Sequence, residues 1–260
     1  MTLPPGLHEH ATRNDLPPGL SYSGAKDILR SPFVYQWKRT QPYEPSDAMD
    51  LGTVLHSLVL DTGQSWETID GGRGVTERKA AARARGLIPI RLEDLAKAAR
   101  MAQAVTDHVE ASALLAKCRR RELAAIADTN PVTLRAFLDA LHDGGRFVVE
   151  VKSGRPGTID DFARTAVNLG YDIQAATYHT VMEWLGQPVE TVWFVIVESE
   201  PPHQVAVRCL DAEFVDLGRA KLRRALDTYA RCVTTGEWPG PEPVAIVSAP
   251  RWALRQEETA

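Results

Sequence analysis

One stretch, residues 132–154, constrains this chain more than any other. "VTLRAFLDAL" alternates and is rich in strand formers. "HDGG" follows, with Asp143-Gly144 suited to positive φ, and "RFVVEVKS" returns. Two such runs across so short a turn predict an antiparallel hairpin. In the return strand Phe147, Val149 and Val151 share one face, which is apolar and can pack on a helix. Val148, Glu150 and Lys152 share the other, so that a carboxylate and an ammonium stand side by side on a face that is either solvated or a site. An antiparallel return also brings Asp139 toward Glu150, both lying away from the turn, although sequence alone does not fix the register.

The hairpin divides two textures. Ahead of it the chain reads as helical. "SYSGAKDILRSPFVYQWKRT" predicts a helix capped by Ser21 or Ser23 and stopped at Ser31-Pro32. "DAMDLGTVLHSLVLD" places Met49, Val54, Leu55, Leu58 and Val59 at helical spacing, and "RLEDLAKAARMAQAVTDHVEASALLAKC" predicts one or two amphipathic helices. The signal between Thr62 and Leu87 is weak. After the hairpin, "TIDDFARTAVNLG" and "YDIQAATYHTVMEWLG" predict helices closed by Gly170 and Gly186. "ETVWFVIVES" and "HQVAVRCLD" predict strands, and "AEFVDLGRAKLRRALDTYARCVTTG" a long helix. The class is mixed α/β, a helical front followed by a sheet with helices packed on it. The organisation expected is an extended Pro/Gly-rich arm over 1–20, which holds "LPPGL" twice, one domain over 21–240 and an irregular tail over 241–260 in which "PVAIVS" can add a short strand. The front part of that domain is 21–120, the sheet part 121–240.

Composition removes several classes of function. No apolar run among the 260 residues approaches the roughly 20 needed to span a membrane. The first residues lack a signal peptide's basic start and apolar core, so a cytoplasmic location is expected, with no membrane partner. Three scattered cysteines, Cys118, Cys209 and Cys232, disfavour a disulfide framework, a zinc knuckle and an iron–sulfur cluster within one chain. A net charge of −4 excludes a basic field over the whole surface, so any nucleic-acid binding must use a local patch. The densest basic stretch holds Arg73, Arg78, Lys79, Arg83 and Arg85; it is either a solvated helix face or a phosphate-contacting patch. Phe33, Tyr35 and Trp37, interleaved with Lys38 and Arg39, offer either core packing or base stacking beside phosphate contacts.

Two carboxylates beside a lysine form a chemical unit. Hard oxygens suit Mg²⁺, with Mn²⁺ as a substitute, and a lysine alongside can orient or deprotonate water or stabilise developing charge. His56 lies one helical turn from Gly52, where the missing side chain leaves room for a backbone or a ligand, and it is either packed or a ligand or acid–base group.

In sequence order, "GTVLH", "DALHDGGRFVVEVK" and "YDIQAATYHTV" resemble the G-xxx-H helix, the acidic-turn-(D/E)xK hairpin and the Q-xxx-Y helix of the RecB-like branch of the PD-(D/E)xK nucleases. "LSYSGAKDILRSPFVYQWKRT" and "GRPGTIDDFARTAVNLGYDIQAATYHTVM" resemble segments of RecE-type exonucleases (exodeoxyribonuclease VIII), and the likeness spans most of Leu20 to Gly240. It implies a restriction-endonuclease-like core, with a central mixed sheet flanked by helices and a helical N-terminal part. It also implies a Mg²⁺-dependent exonuclease that digests linear duplex DNA 5′ to 3′, yielding single strands for annealing-type recombination, in a phage or prophage setting. Asp139, Glu150, His56 and the Val151 carbonyl are the implied metal ligands. Lys152 acts on the attacking water, and Gln174 and Tyr178 orient it or contact the backbone. Glu122 aligns loosely with an acidic position ahead of the hairpin. Implied partners are double-stranded DNA ends, a RecT-like annealing protein and further copies of the chain in a ring, its channel lined by basic residues from Arg73 to Arg85. The chain departs from the RecE-type pattern in carrying Glu150 for the common aspartate and "TLRAFLD" for a "KGR-x-D" lead-in. Two other readings stand beside this one: a RecB-like nuclease of the CRISPR-adaptation or helicase-associated type, or a non-catalytic DNA-binding module on the same fold.

Overall fold

The hairpin is the middle of a six-stranded sheet. A computed structural model describes residues 3–9, 16–42, 45–155, 157–242, 244 and 246–249. The chain begins with β1 (Leu7–His8), then α1 (Tyr22–Arg30), α2 (Pro32–Thr40) and α3 (Asp47–Leu60). A small excursion follows, β2 (Trp66–Thr68), α4 (Val75–Ala84) and β3 (Ile88–Ile90), in which β2 and β3 pair in parallel. Next come α5 (Leu92–Asp107), α6 (Val109–Leu115), β4 (Arg120–Asp128), β5 (Thr133–Leu141) and β6 (Phe147–Gly154). The chain continues through α7 (Ile159–Leu169), α8 (Tyr171–Trp184), β7 (Thr191–Glu198), β8 (Val205–Cys209) and α9 (Ala212–Thr235).

The sheet order is β1-β4-β5-β6-β7-β8. Only β6 and β7 run parallel, from Phe147 against Thr191 to Gly154 against Glu198. A parallel pair needs a crossover, and α7 with α8 supplies it. That crossover lays α8 across one face of the sheet. Val148 joins the core beneath it with Leu138, Tyr178 and Phe194, while Val149 and Val151 join a second core with Leu55 and Met101 from α3 and α5. Both faces of β6 are therefore covered by helices, and its polar face is covered rather than solvated.

Local chemistry sets the joints. Ser31 ends α1 and also starts α2: its hydroxyl accepts from Val34 N, with Pro32 at the first helical position. Thr158 and Asp161 form a reciprocal capping box on α7, and Gly170 closes α7 at φ 76°. Each "LPPGL" copy ends on an anchoring leucine. Leu7 pairs with Ala125, Leu20 bridges to Leu134, and both are buried. The glycine before each anchor is required. A Cβ on Gly6 would stand 2.7 Å from the Ile126 carbonyl oxygen, and one on Gly19 2.6 Å from that of Thr133. The described part of the arm turns at Pro5-Gly6 and is tied to the sheet at Leu7 and Leu20. In the tail, Ile246 to Ser248 are exposed and outside any strand, while Pro243, Ala245 and residues 250–260 lie outside the described residues. The expected short strand is not formed by the part described.

Helices α8 and α9 approach at Gly218, where a Cβ would lie 2.0 Å from the Asp172 carbonyl oxygen. Gly218→Ala must separate the helices and is expected to lower the urea unfolding free energy by about 1–3 kcal/mol. Gly52, also helical, has nothing within 4 Å of a built Cβ. Gly52→Ala is expected to raise the same quantity by roughly 0.4–1 kcal/mol.

Candidate active site

The ladder between β5 and β6 pairs Ala140 with Val149 and Leu141 with Val148, and goes no further. The next position would set Asp139 opposite Glu150. There the Val151 N–H donates to Asp139 Oδ2 at 2.7 Å, so a side-chain carboxylate takes the place of a strand carbonyl and the strands part. The inward alternation of β5 also slips at this point. Leu134, Ala136 and Leu138 belong to the core under α8, Ala140 to the opposite one and Leu141 to the first again. Glu122, facing Asp139 from β4, has φ 51°, the matching irregularity in the neighbouring strand.

Glu150 is 4% exposed and fully engaged. Lys152 Nζ donates to its Oε1 at 2.6 Å, and Gln174 Nε2 donates to the same oxygen at 2.7 Å. Gln174 and Tyr178 stand one turn apart on α8, and Gln174 Nε2 also donates to the Tyr178 hydroxyl at 2.7 Å. That hydroxyl lies 2.7 Å from both the Phe137 carbonyl oxygen and Glu150 Oε2. The phenolic proton is thus shared between a backbone carbonyl and the carboxylate. Burial first, and then the Asp139 charge, raise the Glu150 pKa against the pull of Lys152.

Lys152 stays an ammonium. Burial pulls its pKa down, but the Glu150 and Asp139 charges outweigh this and raise it. Its Nζ lies 5.9 Å from the Tyr22 ring centre and 5.4 Å from that of Tyr171, two aromatic faces that suit a cation. Both tyrosines escaped the sequence reading. The available signal was position: Tyr22 opens α1 beside its serine cap, and Tyr171 follows the glycine that starts α8.

His56 comes from α3 on the opposite side. Its Nε2 is 3.0 Å from the Val151 carbonyl oxygen and its Nδ1 3.4 Å from Asp139 Oδ1. Both ring nitrogens face acceptors, an arrangement that an imidazolium satisfies. Burial lowers the His56 pKa, but the Asp139 charge and hydrogen bond, with Glu150, outweigh it and lift it to about 9. Burial likewise raises Asp139, and the His56 charge, with Lys152 and the Val151 amide, brings it below its ordinary value.

The donor set fits a small divalent cation. Asp139, Glu150 and the Val151 carbonyl present hard oxygens around His56, whose positive ring sits where a cation would relieve the two buried carboxylates. Gln174 Oε1 is buried without a hydrogen-bond partner among the described residues, one more acceptor at the site. No three His, Cys, Asp or Glu side chains close on a common point as a finished cage among the described residues. Mg²⁺ does not require one, because it keeps waters and takes one or two carboxylates.

The sequence-assigned DNA patch is placed elsewhere and largely neutralised. Lys79 bonds Asp47 at 2.6 Å, Arg83 bonds the buried Asp50 at 2.9 Å and Arg85 pairs with Glu67. Arg78 holds the Asp70 and Gly71 carbonyls, and Arg73 lies in the loop ahead of α4. These residues tie α4 to α3 and β2, because carboxylates distant in sequence fold against them. On α2, Lys38 pairs with Asp27, and Arg39 lies over Tyr35, itself buried against Tyr229 and Trp238; Phe33 and Trp37 are exposed. Arg135, from the altered lead-in, bonds the Pro17 carbonyl of the arm. Glu122 carboxylate oxygens lie 3.3 and 3.4 Å from a Cβ built on Gly63.

Comparison with known proteins places this geometry. Residues 21–247 match the model of a family described as a PDDEXK-like domain of unknown function (DUF3799). The crystal structure of a candidate exonuclease from Eubacterium rectale superposes with a TM-score of 0.61 at 13% identity, covering 92% of each chain, which establishes a shared fold. A phage-related exonuclease from Haemophilus somnus aligns over 86% of this chain and 99% of its own, with a TM-score of 0.35 at 11% identity. No curated protein matches the chain. No helix among the described residues is long and apolar enough to cross a membrane.

A raised histidine pKa stabilises the fold fully below the unfolded value near 6.5, and this contribution is lost as pH rises through about 9. In chelator, the metal-free protein is expected to lose about 1–3 kcal/mol of unfolding free energy over that window, a range that allows for the partial exposure of the ring. His56→Gln should flatten the profile in urea titrations at stepped pH. An unchanged slope in the variant would show that the ring is not held as a cation.

Proposed function

The chain belongs to the family of PDDEXK-like domains matched over residues 21–247, and on that premise we propose that it is a metal-dependent nuclease. The observation that carries this reading is one buried constellation: Asp139, Glu150 and Lys152 on diverging strands, braced by Gln174 and Tyr178 and faced by His56. A structural hairpin has no need of two buried carboxylates, one with a raised pKa, beside an ammonium. The finer reading is a RecE-type exonuclease acting on linear duplex DNA from its ends, 5′ to 3′. It would supply single strands to a RecT-like annealing protein and work as a ring of identical chains. The order of the three motifs and the flanking N-terminal pattern support that part.

Asp139, Glu150 and the Val151 carbonyl would hold Mg²⁺, with His56 giving up its proton to share in the site. The ion neutralises charge at the phosphoryl group and acidifies a water. Lys152, kept as an ammonium, serves as a donor and not as a base. It orients the attacking water and stabilises charge developing on the phosphoryl oxygens. Gln174 and Tyr178 fix the Glu150 carboxylate from two directions, which fixes the lysine in turn. In the overall hydrolysis, water adds across the P–O3′ bond: its oxygen goes to phosphorus, a proton goes to the 3′ oxygen, and a 5′-phosphate is left on the next nucleotide.

End-labelled linear duplex with Mg²⁺ tests the proposal, with covalently closed circles as control. Wild type should shorten the linear DNA from its 5′ ends and spare the circles. Asp139→Asn and Lys152→Met should each slow the reaction by at least about 100-fold. Linear DNA left intact by wild type, or cut equally by Lys152→Met, contradicts the proposal; intact DNA favours a binding module on this fold.

A further inference from the structure

We infer that the cavity beside Gly170 is a phosphate subsite that holds the DNA backbone next to the scissile bond, an inference that rests on the nuclease reading above. The cavity, open to the surface, holds about 280 Å³ between α1, the α7–α8 junction and α9, and Lys26, Asn168, Gly170, Lys221 and Arg224 line it. Three cations converge on one hollow in a chain whose net charge is −4. Two carboxylates act on this cluster: Asp172, fully buried and bonded to Lys221 Nζ, and Asp27, whose charge acts on Lys26 and which also bonds Lys38. Arg224 is exposed and has no hydrogen bond or ion pair among the described residues. Lys26 Nζ rests on the Leu169 carbonyl, and its stem lies across Gly170, where a Cβ would stand 2.7 Å from the lysine side chain.

The position of the cavity gives the cluster its meaning. Lys26 follows Tyr22 by four residues on α1, about one turn or 5.4 Å along the helix. Gly170 precedes Tyr171 directly. Tyr22 and Tyr171 are the two rings that flank Lys152, so both walls of the cavity continue into the candidate active site. Burial chiefly holds the Lys26 pKa below its ordinary value, with Lys152 and Lys38 adding to it and Asp27 and Asp172 opposing. A strand with its scissile phosphate at Lys152 can lay a neighbouring phosphate in this hollow. In the basic stretch before and in α4, Lys79, Arg83 and Arg85 are paired with carboxylates and Arg78 with backbone carbonyls, whereas this cluster faces one hollow and lies beside the chemistry.

Lys26→Met and Arg224→Gln remove charge while keeping the side-chain stems. Lys221 is left intact, because its loss would strand buried Asp172. Fluorescence anisotropy with labelled linear DNA in EDTA reads binding apart from cleavage. The double variant should bind roughly tenfold more weakly at 0.1 M salt, with the slope of log affinity against log salt shallower by about 1–2. Its thermal midpoint should match wild type, and Arg85→Ala, already paired with Glu67, should bind within about twofold of wild type. Unchanged affinity and slope in the double variant, or no DNA binding by wild type, overturn the subsite. Calorimetry with inorganic phosphate distinguishes a free-phosphate pocket: phosphate heat lost in the double variant with DNA affinity unchanged also overturns it. Weakened binding in the double variant, with no Mg²⁺-dependent cleavage by wild type, would keep the subsite and sink the nuclease reading. Cleavage by wild type with unaltered binding in the double variant would do the reverse.

Discussion

The hydrogen bond from the Val151 amide to the Asp139 carboxylate is the constraint on which the rest of the site depends. It stands where a ladder bond between β5 and β6 would otherwise form, and so ends the pairing of those strands. In doing this it spends one carboxylate oxygen and leaves the other toward His56. It also fixes Val151, whose carbonyl oxygen His56 meets. Glu150 and Lys152, on either side of that residue, then turn toward α8. One local exchange of a backbone acceptor for a side-chain acceptor opens a sheet at its centre without exposing it.

The remaining structure is support for that opening. Two carboxylates and an ammonium under packed helices are costly unless every polar atom is met. The crossover helix meets most of them, since Gln174 and Tyr178 stand one turn apart and reach both oxygens of Glu150. Gly218 lets α9 press directly on the first turn of α8, and the buried Asp172–Lys221 pair joins the same two helices. The helix that braces the site is itself braced, so Gln174 and Tyr178 hold Glu150 in one geometry.

Much of this was legible in the sequence because the signals were local. The hairpin came from alternation and a glycine turn. Gln174 and Tyr178 came from the resemblance of "YDIQAATYHTV" to the Q-xxx-Y helix, and the approach of Asp139 to Glu150 from the antiparallel return. What escaped depends on distant partners. Strand β4 opens with consecutive arginines and is filled with alanines, so "RRRELAAIAD" carries little strand character alone and takes its form from pairing with β5. Ser31-Pro32 reads as a stop, and only the continuing fold shows that the same serine starts α2. The ion pairs of Lys79, Arg83 and Arg85 were not legible in the basic stretch around α4, because Asp47, Asp50 and Glu67 lie up to 33 residues away. Tyr22 and Tyr171 stand 149 positions apart and become a pair only around Lys152.

The account turns on whether the Asp139–Glu150 pair is a divalent-cation site. Calorimetric titration of Mn²⁺ into the metal-free protein near pH 7 measures this directly, repeated in buffers of different ionisation heat. The proton held on His56 must leave as the ion enters, so the prediction is saturable heat with release of about one proton per ion. Asp139→Asn should lose that heat. Absence of metal-dependent heat in wild type, or equal heat and proton release in Asp139→Asn, would contradict the account.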